Sequence, residues 1–253
     1  MSNLKLFDCG MGAEGVPHLA SALAANNTLT KLDLGYNEIG AVAAQHIAEA
    51  LKVNATVTEL NICHNEFGLN GAEHLASALA ANATLTNLNV LKNDLIEAGA
   101  RTLVAVSKSK PNQIKSPCGI AAGATLYFGY NEIGDVGAQH IAEALKVNAK
   151  VIELELDLHY NGIEDFGAQH IAEALEVNAA VIQLNLNSNE IGAVGAQHLA
   201  EALKVNATVT KLDICHNQIG DVGANHLADA LAANVTLTSI GLLQNRLTEA
   251  GAR

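Results

Sequence analysis

Residues 30–54 read TKLDLGYNEIGAVAAQHIAEALKVN and contain two different hydrophobic periods. The first five residues alternate polar and apolar side chains, which is the period of a short β-strand. Farther along, the spacing i, i+3, i+4 and i+7 is occupied by Ala44, Ile47, Ala48 and Leu51. That spacing gives a helix one apolar face. The stretch therefore predicts a strand followed by an amphipathic helix.

The same stretch recurs along the chain, and an internal repeat of this length indicates a solenoid. Asn37 marks it, and the equivalent positions hold Asn65, Asn93, Asn131, Asn161, Asn189, Asn217 and Asn245, with Cys9 in front. The steps from Cys9 onward are 28, 28, 28, 38, 30, 28, 28 and 28 residues. We number the resulting units 1 to 9 from the amino terminus.

The segment KLDLGYN and its equivalents fit the pattern L-x-x-L-x-L-x-x-N/C-x-L, and the helices read G-A-Q-H-[IL]-A-E-A-L. The chain thereby resembles leucine-rich repeat proteins of the ribonuclease-inhibitor-like subfamily. The resemblance implies an α/β solenoid, a right-handed β-α superhelix shaped like a horseshoe, with a parallel sheet on its concave side and helices on its convex side. Proteins of this kind share a scaffold and not a reaction, so the fold alone does not give the function.

The two layers of such a stack differ in spacing. Parallel strands lie about 4.8 Å apart, whereas helices packed through Ala approach to roughly 8 Å. The mismatch predicts a curved stack with the strands inside. Leu32 and Leu34 then point into the core, and the residues between them line the concave surface.

We expect a single solenoid over residues 1–253, with units 1–4 in residues 1–107 and units 5–9, the last one truncated, in residues 125–253. A helix is predicted from residue 97 to about 107. Residues 108–124 interrupt the repeat with two of the three prolines. This insertion is either a bulged loop on a continuous solenoid or a protrusion that binds a partner.

Two further irregularities concern a strand and the chain ends. The segment VIELELDLHYN is two residues longer than its equivalents, which predicts an extended strand or a bulge, and it adds Glu153, Glu155 and Asp157. Residues 35–101 resemble residues 187–253, and neither end carries a polar capping unit. Because solenoids usually need such caps, we expect a piece of a longer array or end-to-end self-association.

Composition narrows the class of partner. Apolar residues make up 49% of the chain and aromatic residues 3%, with no Trp, which suits thin layers packed through small side chains. There are 14 Lys and Arg against 26 Asp and Glu, a formal net charge of −12. A nucleic acid or an anionic membrane is therefore not expected as a partner, since both attract basic surfaces.

The amino-terminal residues and the spacing of the cysteines indicate the location and the redox state of the protein. The first residues, MSNLKLFDCGMG, show no secretory signal pattern. The four Cys have neither metal-site nor CxxC spacing. We therefore expect a cytoplasmic protein with reduced thiols.

Histidine occupies one helix position in seven units, namely His18, His46, His74, His140, His170, His198 and His226. Nitrogen ligands of one zinc ion must lie within about 3.5 Å of one another. Neighbouring helices about 8 Å apart allow at most two of these imidazoles to meet. We therefore expect no metal and no cofactor. The column either packs along the helix flank or responds to pH below about 6.5.

Asparagine forms two columns that we interpret as structural. The marker residues have side-chain amides that can satisfy backbone groups of the adjacent turn. Five N-x-T sequons fall at helix carboxyl termini, at Asn26, Asn54, Asn82, Asn206 and Asn234. We predict that they cap the helices, with Asn54 in the left-handed C′ conformation, and that they are not glycosylated.

Catalytic motifs are missing from the sequence. Cys63 and Cys215 precede His64 and His216, but adjacent strand residues point to opposite faces. The sequence contains no GxSxG, P-loop, HExxH or dinucleotide fingerprint. We therefore expect no enzyme. Resemblance to the GTPase activators of Ran leaves a GTPase-activating regulator as the alternative, although the chain has only Arg101, Arg246 and Arg253 and lacks an acidic tail.

A contact surface is predicted where polar, acidic and tyrosine side chains leave the strands. Tyrosine is frequent at protein-binding hot spots. The predicted contact residues are Lys31, Asp33, Tyr36, Glu59, Tyr127, Tyr130, Glu153, Glu155, Asp157, His159 and Tyr160. The sequence thus predicts a non-enzymatic scaffold that binds a protein on its concave face, alone or within a larger sensor or effector. A spacer without a fixed partner is a further alternative.

Overall fold

The computed structural model describes residues 2–95, 99, 125–147 and 154–248. Strands and helices alternate through these ranges. The elements are β1 (Ser2–Lys5), α1 (Gly12–Ala25), β2 (Leu29–Asp33), α2 (Gly40–Val53), β3 (Glu59–Asn61), α3 (Gly68–Ala81), β4 (Asn87–Asn89), β5 (Thr125–Tyr127), α4 (Gly134–Val147), β6 (Leu154–Asp157), α5 (Asp165–Leu175), β7 (Val181–Asn185), α6 (Ala193–Val205), β8 (Lys211–Asp213), α7 (Gly220–Ala233) and β9 (Ser239–Gly241).

All nine strands form one parallel sheet in sequence order, so each strand pairs with the next one along the chain. The register places equivalent residues of successive units side by side, as Lys31, Glu59 and Asn87 are. Helices α1, α2 and α3 pack one against the next, and so do α4, α5, α6 and α7. The predicted α/β solenoid of strand–helix units is therefore confirmed.

The core lies between the sheet and the helices, as the two hydrophobic periods predict. Leu32 and Leu34 of the strand segment are buried, and so are Ile47 and Leu51 of α2. Alanine fills the remaining helix positions that face the core, with Ala43, Ala44, Ala48 and Ala50 all buried. Side chains of this size let neighbouring helices approach closely.

The marker asparagine ties each unit to the one before it. The Asn65 Oδ1 atom accepts hydrogen bonds from the backbone N–H groups of Asn37 (2.9 Å) and Ile39 (3.3 Å) in the previous unit. Its Nδ2 atom donates to the carbonyls of Leu34 (2.9 Å) and Ile62 (3.0 Å). The side chain is fully buried, so it satisfies backbone groups that water cannot reach.

These contacts recur along the solenoid and confirm the structural role of the column. Its buried members are Asn37, Asn65, Asn93, Asn131, Asn161, Asn189, Asn217 and Asn245. Cys9 is exposed and contributes only a long Sγ contact to the Phe7 carbonyl (3.5 Å). It is the weaker substitute that the sequence pattern predicts.

The predicted left-handed conformation of Asn54 is wrong. Its backbone is extended, with φ −72° and ψ 126°. Its Oδ1 atom accepts the N–H groups of Thr56 (3.0 Å) and Val57 (2.9 Å), and its Nδ2 atom donates to the carbonyls of Leu23 (2.9 Å) and Asn26 (3.0 Å) in the previous unit. The side chain closes the turn, so the backbone can extend directly toward the next strand.

The turn contacts of Asn54 recur at other asparagines of the N-x-T sequons. Asn82 and Asn206 repeat the contacts of Asn54. All three side chains are buried and use both amide atoms. Asn26 is exposed and Asn234 is half-buried, so the absence of glycans at the five sequons stays a prediction.

Aspartate forms a third link between units, which the sequence analysis missed. The Asp165 Oδ1 atom accepts the N–H groups of Gly192 (2.7 Å) and Gly195 (2.8 Å) at the start of α6. Asp135 makes the same contacts with the start of α5. A carboxylate in the first turn of one helix thus caps the next helix, where free N–H groups need an acceptor.

The predicted irregularity at β6 is present as a register shift between Leu154 and Glu155 in the pairing with β7. The described range begins at Leu154, so the alternative of an extended strand stays a prediction. Of the predicted helix at residues 97–107 only residue 99 is described, and the insertion at 108–124 and Glu153 lie outside the described residues.

Replacing Asn65 by Ala should lower the free energy of unfolding by at least about 3 kcal/mol. Several buried backbone groups lose their partner, and each such loss costs roughly 1–3 kcal/mol. Urea unfolding followed by circular dichroism measures the change. Asn87→Ala on the exposed side of β4 is the control and should stay within about 0.5 kcal/mol of the wild type. Equal stability of the two variants would contradict the role of the column.

Replacing Asp165 by Ala should lower the free energy of unfolding by about 1 kcal/mol, which is typical for the loss of a helix cap. Asp165→Asn keeps the Oδ1 acceptor and should retain most of the stability. Thermal unfolding of both variants separates the acceptor from the charge. An equal loss in the two variants would show that the charge, and not the hydrogen bonds, stabilises α6.

Candidate functional site

The open sheet face, the side of the sheet opposite the helices, presents two rows of side chains. The first row contains Asn3, Lys31, Glu59, Asn87, Glu155, Gln183, Lys211 and Ser239. The second row contains Lys5, Asp33, Asn61, Asn89, Tyr127, Asp157, Asn185 and Asp213. These side chains are half-buried or exposed, whereas the leucines between them in β2 to β8 are buried.

The second row is largely structural. The Asp33 Oδ1 atom accepts the N–H group of Gly35 (3.2 Å), and Asn61 does the same for Cys63 (3.1 Å). Four more units repeat this bond to the residue two positions on, through Asn89, Asp157, Asn185 and Asp213. Such a side chain closes the turn after the strand. Tyr127 in unit 5 interrupts the row and cannot make this bond.

Units 5 and 6 carry an aromatic cluster, which we define as Tyr127, Tyr130, His159 and Tyr160. The rings of Tyr130 and Tyr160 stack with their centroids 4.3 Å apart and an interplanar angle of 10°. The His159 ring meets Tyr130 edge-on at 4.9 Å. Tyr127, Tyr130 and Tyr160 remain 37%, 41% and 50% exposed. Tyr130 and Tyr160, two of the predicted contact residues, are therefore direct neighbours.

Glycine makes room for the imidazole of this cluster. A Cβ atom on Gly129 would lie 2.2 Å from the His159 ring, which no side chain permits. The His159 Nδ1 atom lies 2.7 Å from the Asp157 Oδ1 atom. The Asp157 carboxylate therefore holds one edge of the His159 ring, and the ring packs against the backbone of Gly129.

Acidic side chains surround the cluster. Burial raises the pKa of the Tyr127 phenol, and the nearby Glu155 and Asp157 carboxylates raise that pKa further. Glu155 is held by a hydrogen bond from Gln183 Nε2 to its Oε1 atom (2.6 Å). The pKa of Tyr130 is also raised, mainly by burial and further by the neighbouring Tyr160. Both phenols are therefore protonated and neutral at pH 7.

The other predicted contact residues lie near the amino-terminal end of the sheet. Lys31 and Glu59 form an ion pair with an N–O distance of 2.6 Å. Tyr36 stacks on His64 with centroids 3.9 Å apart, and its hydroxyl lies 3.0 Å from His64 Nε2. Units 3 and 4 separate Tyr36 from the aromatic cluster. Tyr36 is therefore separate from Tyr130 and Tyr160, whereas Lys31, Asp33 and Glu59 line the same hollow as Tyr127. Glu153 lies outside the described residues.

Two hollows accompany these sites. One, of about 300 Å³, lies on the open sheet face, and its lining runs from Asn3 and Lys5 to Tyr127. The second, of about 320 Å³, lies at the rim where the chain leaves the strands, and it is lined by Asp8, Tyr36, Glu38, His64, Glu66, Lys92 and Asp94. Sequence analysis missed this acidic rim, although the residue after the marker asparagine is acidic in several units.

Rim residues on both sides of the marker have left-handed backbone. Tyr36 has φ +58° and Glu38 has φ +52°, and most units repeat this pattern. The buried asparagine between them imposes a tight turn. A left-handed residue other than glycine costs roughly 1–2 kcal/mol, so these rim side chains are retained against a conformational preference.

In the described part of the chain, Cys63 and His64 are adjacent in sequence but do not form a nucleophilic pair. Cys63 is buried, while His64 lies at the rim in a left-handed conformation. Burial raises the pKa of the Cys63 thiol, so it is protonated at neutral pH. Burial, together with the charge of Lys92, lowers the pKa of His64, and its imidazole is neutral at pH 7.

Most of the helix histidines are half-buried on the helix flanks, whereas His18 and His46 are exposed. His140 and His170 lie 3.9 Å and 3.6 Å from glutamates three residues later. Across residues 2–95, 125–147 and 154–248, no group of three His, Cys, Asp or Glu side chains is arranged to hold a metal ion.

None of the helices in the described part of the chain combines the length and the apolar character that a membrane crossing requires.

Comparison with known proteins identifies the repeat. A family model described as "Leucine Rich repeat" matches residues 25–48, 53–76, 125–142, 178–200 and 205–228. These five segments are leucine-rich repeats, and the chain folds as a leucine-rich repeat solenoid. The matched segments each combine a strand region with part of its helix, in agreement with the parallel sheet and the helix layer. The ribonuclease-inhibitor-like subfamily stays a prediction.

The chain is also similar to solved structures, and the TM-score is below 0.5 for each of the following three. Leiomodin-1 Actin-Binding Site 2 is 31% identical over 42% of this chain, with a TM-score of 0.38, and this chain covers 61% of its length. LegL7 from Legionella pneumophila (19% identity, TM-score 0.45) is matched over 94% of this chain and 89% of its own. An internalin from Listeria monocytogenes (16% identity, TM-score 0.45) is matched over 99% and 83%. A search of curated proteins finds no match.

Replacing Glu38 by Gly should raise the free energy of unfolding by about 1 kcal/mol, because glycine removes the left-handed strain at φ +52°. Glu190→Gly is the matched control, since Glu190 occupies the same position in unit 7 without a positive φ. It should lower stability by roughly 0.5–1 kcal/mol through the added chain entropy. Urea unfolding measures both. A loss of stability in both variants would contradict the strain at the rim.

Proposed function

We propose that this leucine-rich repeat protein is a non-enzymatic scaffold that binds a partner protein through its open sheet face. The aromatic cluster of units 5 and 6 is the centre of the contact. The observation that carries this proposal is Tyr127, which stands where six other units place a turn-closing Asp or Asn. The site gives up a structural hydrogen bond in exchange for an exposed aromatic ring.

The neighbouring residues support this reading. The chain contains four Tyr and four Phe in 253 residues, and three of those tyrosines lie in two adjacent units, with Tyr130 stacked on Tyr160. Tyr side chains bury a large area on binding at a low cost in conformational entropy, and they are enriched at hot spots. Gly129 and Asp157 position His159 within the cluster, so the surface is ordered before a partner arrives.

Lys31, Asp33, Glu59 and Tyr36 would contribute secondary contacts at the amino-terminal end of the face. Lys31 and Glu59 already neutralise each other, and Asp33 closes its own turn. Such residues change the rate and orientation of binding more than its strength. The same face would serve this chain as a segment of a larger sensor or effector. End-to-end self-association stays a prediction, which sedimentation of the purified chain measures.

The variant Tyr127→Asn separates binding from folding. Asn restores the residue of the equivalent units, so its Oδ1 atom can accept the N–H group of residue 129 as Asn89 does for Leu91. The free energy of unfolding should be unchanged or higher by up to about 1 kcal/mol. Affinity for the partner, identified by crosslinking from the native cell, should fall by at least about tenfold. Calorimetric titration of the purified partner measures it.

The control for this experiment lies on the helix face. Val194 is exposed there, and Val194→Ser should leave partner affinity unchanged. Loss of binding in Val194→Ser with full binding in Tyr127→Asn would move the interface to the helices. Faster GTP hydrolysis by a panel of small GTPases in the presence of the chain, abolished by Arg246→Ala, would contradict the non-enzymatic function.

A further inference from the structure

The open sheet face changes its charge where it reaches the aromatic cluster. Strands β5, β6 and β7 carry Glu155 and Asp157 and contain no Lys or Arg. Tyr127 and Asp157 are direct cross-strand partners, and adjacent strands lie about 4.8 Å apart. Carboxylates and aromatic rings are therefore within reach of a single side chain of a partner.

The carboxylates of this surface are fixed in position. Gln183 Nε2 donates to Glu155 Oε1 at 2.6 Å, and His159 Nδ1 lies 2.7 Å from Asp157 Oδ1. Groups that are already held lose little conformational entropy on binding. Asp157 also accepts the backbone N–H group of His159 (3.1 Å), which aims the carboxylate toward the turn that carries the tyrosines.

The tyrosine rings supply the second half of a cation site. The stacked pair of Tyr130 and Tyr160 is half exposed, and ring faces attract cations through their quadrupole. A guanidinium is planar, stacks on aromatic rings and bonds carboxylates through two N–H groups at once. A lysine ammonium is a point charge and uses such a surface less well.

We propose that units 5 and 6 bind an arginine side chain of the partner, with its guanidinium against the aromatic cluster and paired with Glu155 and Asp157. This inference rests on the proposed function and names the chemistry of the partner. The net charge of −12 favours approach of a basic segment over an acidic one. The partner therefore presents an exposed basic stretch with at least one arginine.

The experiment uses the full chain and the capped peptide acetyl-Gly-Arg-Gly-Arg-Gly-amide, with lysine and glutamate versions for comparison. The chain has four Tyr and no Trp, so tyrosine fluorescence reports binding. The arginine peptide should bind at least about fivefold tighter than the lysine peptide, in line with stacking and bidentate pairing. The glutamate peptide should not bind. Equal binding of the arginine and lysine peptides would overturn the proposal.

Variants locate the bound peptide. Glu155→Gln keeps an acceptor for Gln183 and removes the charge, and Tyr160→Asn removes a ring at φ +51° with a residue that tolerates this conformation. Each should weaken arginine-peptide binding by about tenfold. The matched control is Glu38→Gln with Glu66→Gln at the rim hollow, which should leave binding unchanged. Loss of binding only in the rim variant would overturn the assignment.

The outcomes also separate this inference from the proposed function. A partner whose affinity depends on Tyr127, combined with no preference for the arginine peptide, would overturn the arginine site and leave the scaffold function standing. An arginine-selective peptide site, combined with a partner whose affinity ignores Tyr127, would overturn the proposed function at this face. Circular dichroism of every variant confirms that the fold is retained.

Discussion

The buried asparagine of each unit is the constraint on which the structure depends. A turn that runs beneath the surface of a solenoid carries backbone N–H and carbonyl groups that water cannot reach. The Asn65 side chain satisfies such groups in its own unit and in the unit before it. Because the marker asparagines repeat these bonds with the same atoms, successive strands align residue for residue through most of the sheet, and the open sheet face becomes a set of straight rows.

The marker asparagines also determine the backbone conformation at the rim. Its tight turn holds the flanking residues, such as Tyr36 and Glu38, in a left-handed conformation. Their side chains line an acidic hollow. A second set of Asp and Asn side chains closes each strand end in most units, and this regularity makes departures meaningful. Tyr127 breaks the rule of the second row, and Gly129 opens space for His159, so units 5 and 6 present a different surface from the other units.

Local periods predict the fold well and the links between units poorly. The apolar helix face of Ile47 and Leu51 follows from spacing alone, and so does the separation of Cys63 from His64. The predicted conformation of Asn54 was wrong because its side-chain amide donates hydrogen bonds to carbonyls 28 and 31 residues away. The cap provided by Asp165 reaches 27 and 30 residues forward, beyond any rule that considers one helix by itself.

Repeat spacing and residue pattern establish the class of fold, the inward leucines and the structural asparagines, because each of these depends on neighbours within one unit. Pairing between units decides the site. Stacking of Tyr130 on Tyr160 and separation of Tyr36 from both depend on which units lie side by side. The hold of Asp157 on His159 depends on the space over Gly129. Such contacts are set by strand register and by the volume left open in an adjacent unit, and these exist only once the solenoid has formed.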